Sequence, residues 1–329
     1  GDIDFTEEIG RCYGYHNLPT VLPTGEIPRR EQDKFLDIER AILDLYSGHG
    51  WTEVFSNSFI NNADLLRALS GNLKTLSVKN PLSEDQKIMR PSLVPSMLRA
   101  IAENEERDNA EKLFEVSRVY APCDGELHSE IPMSLVSIVN DKGGEELFRL
   151  AKGALDIFSR IFHLSYSLKR ENLPSWMHSG RGATIYVKDV LVGALGEVHP
   201  RVLKAFGFKC VPAFLELNLV TLLPFISFLP SYKEVSVFPP VLRDIAIVLD
   251  ERTVYENIKK TIFSASSLVS NVELFDIYRG DAITSGKKSL AVHLSLLATD
   301  RTLTSEDADT AVQNIVSALQ TSFDATMRK

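Results

Sequence analysis

The sequence predicts an α+β chain in two main parts: a core with helices on a mainly antiparallel sheet, then a smaller unit of βαββαβ order. Three observations carry this. The chain has 329 residues, more than one ordinary domain holds, so at least two are expected. Apolar spacing switches repeatedly between a period of three to four and a period of two, the marks of helix and of half-buried strand. Proline and glycine break the pattern around Pro19, Pro23, Gly25 and Pro28 and again between Pro230 and Pro240, where linkers are expected. The expected division is 1–20, a short helical end; 27–229, the core; and 233–329, the terminal domain.

In the first segment a helical pattern opens at Asp4-Phe5-Thr6-Glu7-Glu8 and closes near Tyr13-Gly14-Tyr15, which reads as the end of something larger. In the core, Phe35, Ile38, Ile42 and Leu45 recur at helical spacing, predicting a helix from Glu31 to Tyr46 that Gly48 and Gly50 stop. Trp51 to Ile60 reads as a strand and Ala63 to Leu69 as a short helix. Leu93 to Glu103 reads as a helix that tolerates Pro95 in its first turn. Lys112 to Tyr120 and Met133 to Val139 are strand-like. Glu145 to Phe162 carries Leu147, Leu150, Ala151, Ala154, Leu155 and Phe158 on a helical period. Ala183 to Val187, Leu191 to Leu195 and Ala213 to Leu219 are three short strands separated by turn residues. Helices on such a sheet make an α+β domain.

The terminal unit reads as strand Asp244 to Leu249, helix Thr253 to Ser264, strands Val269 to Tyr278 and Lys288 to Ala298, helix Thr304 to Phe323 and a short last strand. That order is a ferredoxin-like split βαβ. In the second helix Ala308, Ala311, Val312, Ile315, Val316 and Leu319 form one apolar stripe, and Thr304 with Asp307 supplies a cap. In the third strand Leu290, Val292, Leu294 and Leu296 alternate with Ser289, Ala291, His293 and Ser295, so the leucine set faces the helices. In the preceding strand Phe275 and Ile277 are expected on one face, Asp276 and Tyr278 on the other. An uncovered face with Asp, Tyr, Ser and His suits unstacked bases of single-stranded RNA. On the residues alone, a solvated face or one packed on a neighbouring domain is the simpler reading.

Composition excludes several classes. Hydrophobic content of 44% supports sizeable cores. The longest apolar stretch, Val211 to Leu229, is broken by Pro212, Glu216, Asn218 and Pro224, so no membrane partner is expected. Cys12, Cys123 and Cys210 lie far apart and form no metal spacing, which fits a reducing cytoplasm. A net charge of −8 argues against broad, non-specific binding to phosphates.

Asp4, Glu7 and Glu8 fall at helical offsets of zero, three and four, so three carboxylates share a face that could hold Mg²⁺ or simply meet solvent. Glu197 and His199 read as an acid/base pair or as a strand end entering a turn at Pro200. His178 has no evident partner. Gly193 and Gly196 are too isolated for a phosphate loop. Arg90 and Arg118 have the chemistry to clamp phosphates, or to sit in structural ion pairs.

An ordered set of segments resembles the β subunit of bacterial-type phenylalanyl-tRNA synthetases. Glu7-Glu8-Ile9-Gly10-Arg11-Cys12-Tyr13-Gly14-Tyr15 with Leu18-Pro19 is similar to the end of the small helical domain before that subunit's core. Asn80-Pro81-Leu82-Ser83, Met89-Arg90-Pro91-Ser92-Leu93-Val94-Pro95, Leu113-Phe114-Glu115-Val116, His178-Ser179-Gly180-Arg181 and Gly193 to Pro200 resemble the core. Phe238 to Ala246, Leu274 to Gly280, Gly286 to Ala291 and Asp300 to Thr304 resemble its C-terminal anticodon-binding domain.

The resemblance implies a class II synthetase-like core that has lost catalysis. Activation of phenylalanine with ATP would fall to a separate α subunit, in an α2β2 heterotetramer that charges tRNA(Phe). The segment around Glu115 and Arg118 only loosely matches the Arg–Glu pair of the second class II motif, and nothing matches the third. The resemblance places Asp4, Glu7 and Glu8 in a Mg²⁺ site near the α subunit, completed by an aspartate before residue 1. It places Asp276, Tyr278 and Ser289, with Ala246 and Arg328, at the anticodon. Over residues 231–329 there are 11 Lys plus Arg against 13 Asp plus Glu, so weak RNA affinity in isolation is expected. The alternative is a stand-alone pseudo-synthetase module that dimerises without tRNA.

Overall fold

The computed structural model describes residues 1–22, 24–25, 33–69, 74–105, 111–123, 126–230, 232, 234–280 and 283–328. Pro23, Pro28 and Glu31 of the expected first linker and helix start lie outside them. The chain forms two compact units, Gly1–Pro230 and Ser231–Lys329.

Unit 1 begins with helix α1 (Asp2–Tyr13), which buries no residue. Helix α2 (Lys34–Gly48) is capped by the Asp33 carboxylate, which accepts from the Phe35 N–H. It buries the predicted Ile38, Ile42 and Leu45, and Tyr46 as well. The stretch expected as one strand from Trp51 to Ile60 is split into β1 (Thr52–Glu53) and β2 (Phe59–Ile60), which join different sheets. The reason lies between them. Ser56 turns inward to Glu115, and the Ser58 carbonyl accepts from the Arg90 N–H, so the backbone leaves one sheet to reach the other. Helix α3 (Asn62–Ala68) follows. Strands β3 (Leu76–Ser77) and β4 (Ile88–Met89) complete a three-stranded sheet with β2, and α4 (Val94–Asn104) has Pro95 in its first turn.

The main sheet takes β5 (Lys112–Cys123), β6 (Glu126–Asn140), β7 (Ser167–Lys169), β8 (Met177–Val187), β9 (Val190–Val198) and β10 (Val211–Asn218). Its order is β1-β5-β6-β10-β9-β8-β7, antiparallel throughout except for the β1–β5 pair. Both faces are covered. On one, α2, α5 (Glu145–Ile161) and α7 (Leu219–Leu222) bury Phe114, Val136, Leu215 and Leu217. On the other, α3, α4 and α6 (Pro200–Phe206) bury Leu113, Leu135 and Phe214. Neighbours in one strand therefore enter opposite cores, so these strands read as continuous apolar runs instead of alternating ones. Gly196 has a packing role here: a Cβ on it would lie 2.5 Å from the Gly182 Cα across β8.

Unit 2 is the predicted βαββαβ. Strands β11 (Val241–Asp250), β12 (Val269–Tyr278), β13 (Lys287–Leu296) and β14 (Thr326–Met327) form one antiparallel sheet in the order β12-β13-β11-β14. Helices α8 (Tyr255–Ala265) and α9 (Ser305–Phe323) bury Ile258, Ile262, Ala308, Ala311, Ile315 and Leu319 against Ile245, Ile247, Leu290, Val292 and Leu294. The Thr304 hydroxyl accepts from the Asp307 N–H, and the Asp307 carboxylate accepts from the Thr304 N–H, closing the expected capping box at 3.1 Å each way.

Candidate nucleic-acid interface

The side of the unit 2 sheet away from its helices is built in rows set by strand register. Tyr278, Ser289, Val248 and Thr326 are successive cross-strand partners. The next row is Asp276, Ala291 and Ala246, and the Arg328 N–H donates to the Ala246 carbonyl at 2.9 Å. The third is Glu273, His293 and Asp244. Asp276, Tyr278, Ser289, Ala246 and Arg328 thus occupy two adjacent rows.

The Arg328 guanidinium lies 4.8 Å from the centre of the Tyr278 ring. It reaches from the β14 end of the sheet to its β12 edge, and the residues between in the register, Ala246 and Ala291, are small enough to let it pass. Tyr278 is 37% exposed, whereas Ser289, its cross-strand neighbour, is only 3% exposed. Ser289 was expected to face a ligand openly; in the free chain it is covered. Gly280 fits closely beneath Tyr278, since a Cβ there would stand 2.6 Å from the phenolic oxygen.

One expectation fails on this face. Phe275 was paired with Ile277 toward the helices, but a β-bulge separates Leu274 from Asp276, leaving Phe275 without a cross-strand partner. The bulge breaks the period of two. Phe275 instead stacks on His293, ring centres 3.9 Å apart and planes 15° from parallel. The His293 Nδ1 in turn lies 2.5 Å from an Asp244 carboxylate oxygen. Phe275 belongs to the open face, and strict alternation had hidden it.

The other candidates do not assemble a site in unit 1. Arg90 is fully buried and Glu115 is 1% exposed. Arg90 donates to Glu115 Oε1 at 2.8 Å, Ser56 Oγ at 2.6 Å, Ser117 Oγ at 2.5 Å and the Arg118 carbonyl at 3.0 Å. These bonds occupy the guanidinium, leaving it closed to a phosphate. Arg118 pairs with Glu130 at 3.4 Å. Glu197 is buried, accepting from the Gly144 N–H at 2.6 Å and Arg181 at 2.9 Å. The predicted turn at Pro200 is instead the start of α6. His199 caps that helix through the Arg201 N–H, and His178 accepts from the Gly180 N–H. Neither histidine forms an acid/base pair with Glu197 in these contacts.

Asp4, Glu7 and Glu8 lie exposed on α1. Asp4 pairs with the Gly1 amino group and Glu8 with Arg11. Among the described residues no group of three or more His, Cys, Asp or Glu side chains is arranged to hold a metal ion, so these three carboxylates do not by themselves fit a Mg²⁺ site. Among those residues, too, no helix is long and apolar enough to cross a membrane.

A split βαβ sheet with helices on one side and this polar and aromatic set on the other defines a ferredoxin-fold unit, and residues 236–328 match the family described as "Ferredoxin-fold anticodon binding domain". Residues 18–219, more than half of the chain, match the "Phenylalanyl tRNA synthetase beta chain CLM domain", and the chain belongs to that family. It is similar to the phenylalanine–tRNA ligase β subunits of Fusobacterium nucleatum, 31% identical over 99% of this chain and 42% of the relative, and of Moorella thermoacetica, 33% identical over 100% and 43%. That of Clostridium tetani is 32% identical over 99% and 42%. The chain spans about two fifths of the length of these curated relatives.

Proposed function

We propose that this chain is the scaffold and anticodon-reading part of a phenylalanine–tRNA ligase β subunit, supporting ATP-dependent attachment of phenylalanine to tRNA(Phe) by a separate α subunit. The single observation that carries the reading is the open face of unit 2, where Asp276, Tyr278, Ala246 and Arg328 meet in adjacent rows in a domain matched to anticodon binding. One base stacks on Tyr278, and the Asp276 carboxylate accepts from an exocyclic amino group, the chemistry by which carboxylates read base edges. Ser289, the cross-strand partner of Tyr278, joins it beside the same base. ATP belongs to the α subunit in this reading, because Arg90 and Glu115 hold each other. Asp4, Glu7 and Glu8 supply ligands to a shared Mg²⁺ only where further oxygen donors join them. The α2β2 assembly and a cytoplasmic location belong to the same proposal.

The test compares two tRNAs. Asp276→Ala is expected to weaken binding of tRNA(Phe) by about 5- to 150-fold, the ~1–3 kcal/mol of one good base contact, and to change binding of a tRNA with altered anticodon bases far less. Equal loss on both argues against base readout. The purified chain is expected to show no phenylalanine-dependent ATP–pyrophosphate exchange; exchange by this chain alone defeats the scaffold reading.

A further inference from the structure

We propose that Phe275, backed by His293, forms a second base-stacking post on the open face, so that the face holds two unstacked bases of one RNA loop. The inference rests on the anticodon reading above and deepens it. Phe275 is a large apolar ring on the edge strand β12, yet it is 49% exposed. A bulge turns it out of the core, and its ring is held flat against His293, which Asp244 anchors through Nδ1. An exposed aromatic ring fixed in orientation by a stacked neighbour that is itself hydrogen-bonded to a carboxylate is already ordered. A base landing on it therefore meets little entropy cost in the ring.

Spacing sets the number of bases. Phe275 and Tyr278 are three residues apart on β12, which is about 10 Å of strand. Stacked bases rise only about 3.4 Å, so one base does not touch both posts and two splayed bases do. Between the posts lie Asp276, Ala291 and Ala246, one carboxylate and two methyl groups. Charge selects bases over phosphate: three carboxylates, Asp244, Glu273 and Asp276, hold register positions on this face, and Arg328 reaches across it. Carboxylates repel the backbone and accept from base amino groups. A continuous path joins this second post to the Tyr278 row, so the occupant is the same RNA strand.

The test uses the full chain and an RNA hairpin loop bearing the phenylalanine anticodon, with a fluorescent adenine analogue placed at each anticodon position in turn, at low ionic strength. The unaltered chain is expected to quench at two positions. Tyr278→Leu removes one signal and Phe275→Leu the other, each with roughly 5- to 150-fold weaker binding, the range that loss of one stacked base gives. His293→Ala weakens the Phe275 signal only, and Phe275→Trp retains it, which separates lost stacking from misfolding. If Phe275→Leu leaves both affinity and quenching unchanged while Tyr278→Leu lowers them, the second post is wrong and the anticodon reading stands. If the unaltered chain binds no RNA, or both leucine variants bind as it does, the anticodon reading falls and the second post with it. A protein partner on this face would then be the occupant.

Discussion

The buried Arg90–Glu115 pair decides whether unit 1 is a scaffold or a disguised catalytic site, and its energetics can be worked from the contacts. Arg90→Met keeps much of the volume but deletes four hydrogen bonds and leaves Glu115 charged at 1% exposure. Removing one partner of a buried pair costs about 3–5 kcal/mol. Glu115 keeps the Ser56 hydroxyl at 2.7 Å and a long contact from the Ser56 N–H at 3.4 Å, which places the cost toward the low end. Pairing the change with Glu115→Gln removes the stranded charge and is expected to recover about 1–3 kcal/mol, the usual coupling between residues in contact. The assay is urea unfolding followed by tryptophan fluorescence. Both tryptophans, Trp51 and Trp176, are buried in unit 1, so the signal reports that unit and not the other. An Arg90→Met chain within about 1 kcal/mol of the parent, against the cost expected for a buried pair, would refute the locked-pair argument. It would also return Arg90 to the pool of phosphate-binding candidates.

Three further outcomes are expected. Gly280→Val puts a Cβ where Tyr278 now lies; RNA affinity is expected to fall as far as in Tyr278→Leu, with the melting midpoint of unit 2 moving much less, and unchanged RNA binding contradicts it. Burial pushes the Glu216 carboxyl up, opposed by a 3.2 Å bond from the Ser92 hydroxyl. A carboxyl raised in the folded state contributes most below its unfolded value, near 4.3, and loses that contribution as pH rises through the folded one. Glu216→Gln is therefore expected to raise the unit 1 midpoint at pH 7 and to converge with the parent toward pH 4; an equal gap at both pH values sinks this. Arg328→Ala is expected to lower the slope of log affinity against log salt by about 0.7, one phosphate on a single strand, and an unchanged slope means Arg328 never leaves the ring for the backbone.

The terminal unit was legible almost residue by residue, and the reason is its one-sided sheet. With helices on one face only, β13 alternates strictly, and the pattern fixes both strand and face. Unit 1 was harder because its strands bury both faces: Leu113 and Phe114 enter opposite cores, and no alternation marks where β6 or β8 begins. The two-residue strands β2, β3 and β4 carry too few side chains to show any period. The Arg90–Glu115 pair spans 25 positions that only the fold brings together. On the candidate interface the sequence placed Asp276, Tyr278 and His293 correctly and lost Phe275, since one bulge residue shifts everything before it in the strand. Ser289 is buried beside its cross-strand partner Tyr278, which spacing does not reveal.

On the proposed anticodon reading, the arrangement around Tyr278 gives a face with little attraction for phosphate a way to discriminate. In the free chain the ring already holds Arg328. Such an exposed cation–π contact is worth about 0.5–1 kcal/mol, less than the ~1–3 kcal/mol of a stacked base. On the proposed reading, a base that fits displaces the guanidinium at a net gain and releases one cation toward the strand it belongs to. A base that stacks poorly recovers less than it displaces, and Arg328 stays. Selection on this reading comes from competition for one ring, and the near balance of charge in unit 2, 11 basic against 13 acidic residues, prevents general phosphate attraction from overriding it.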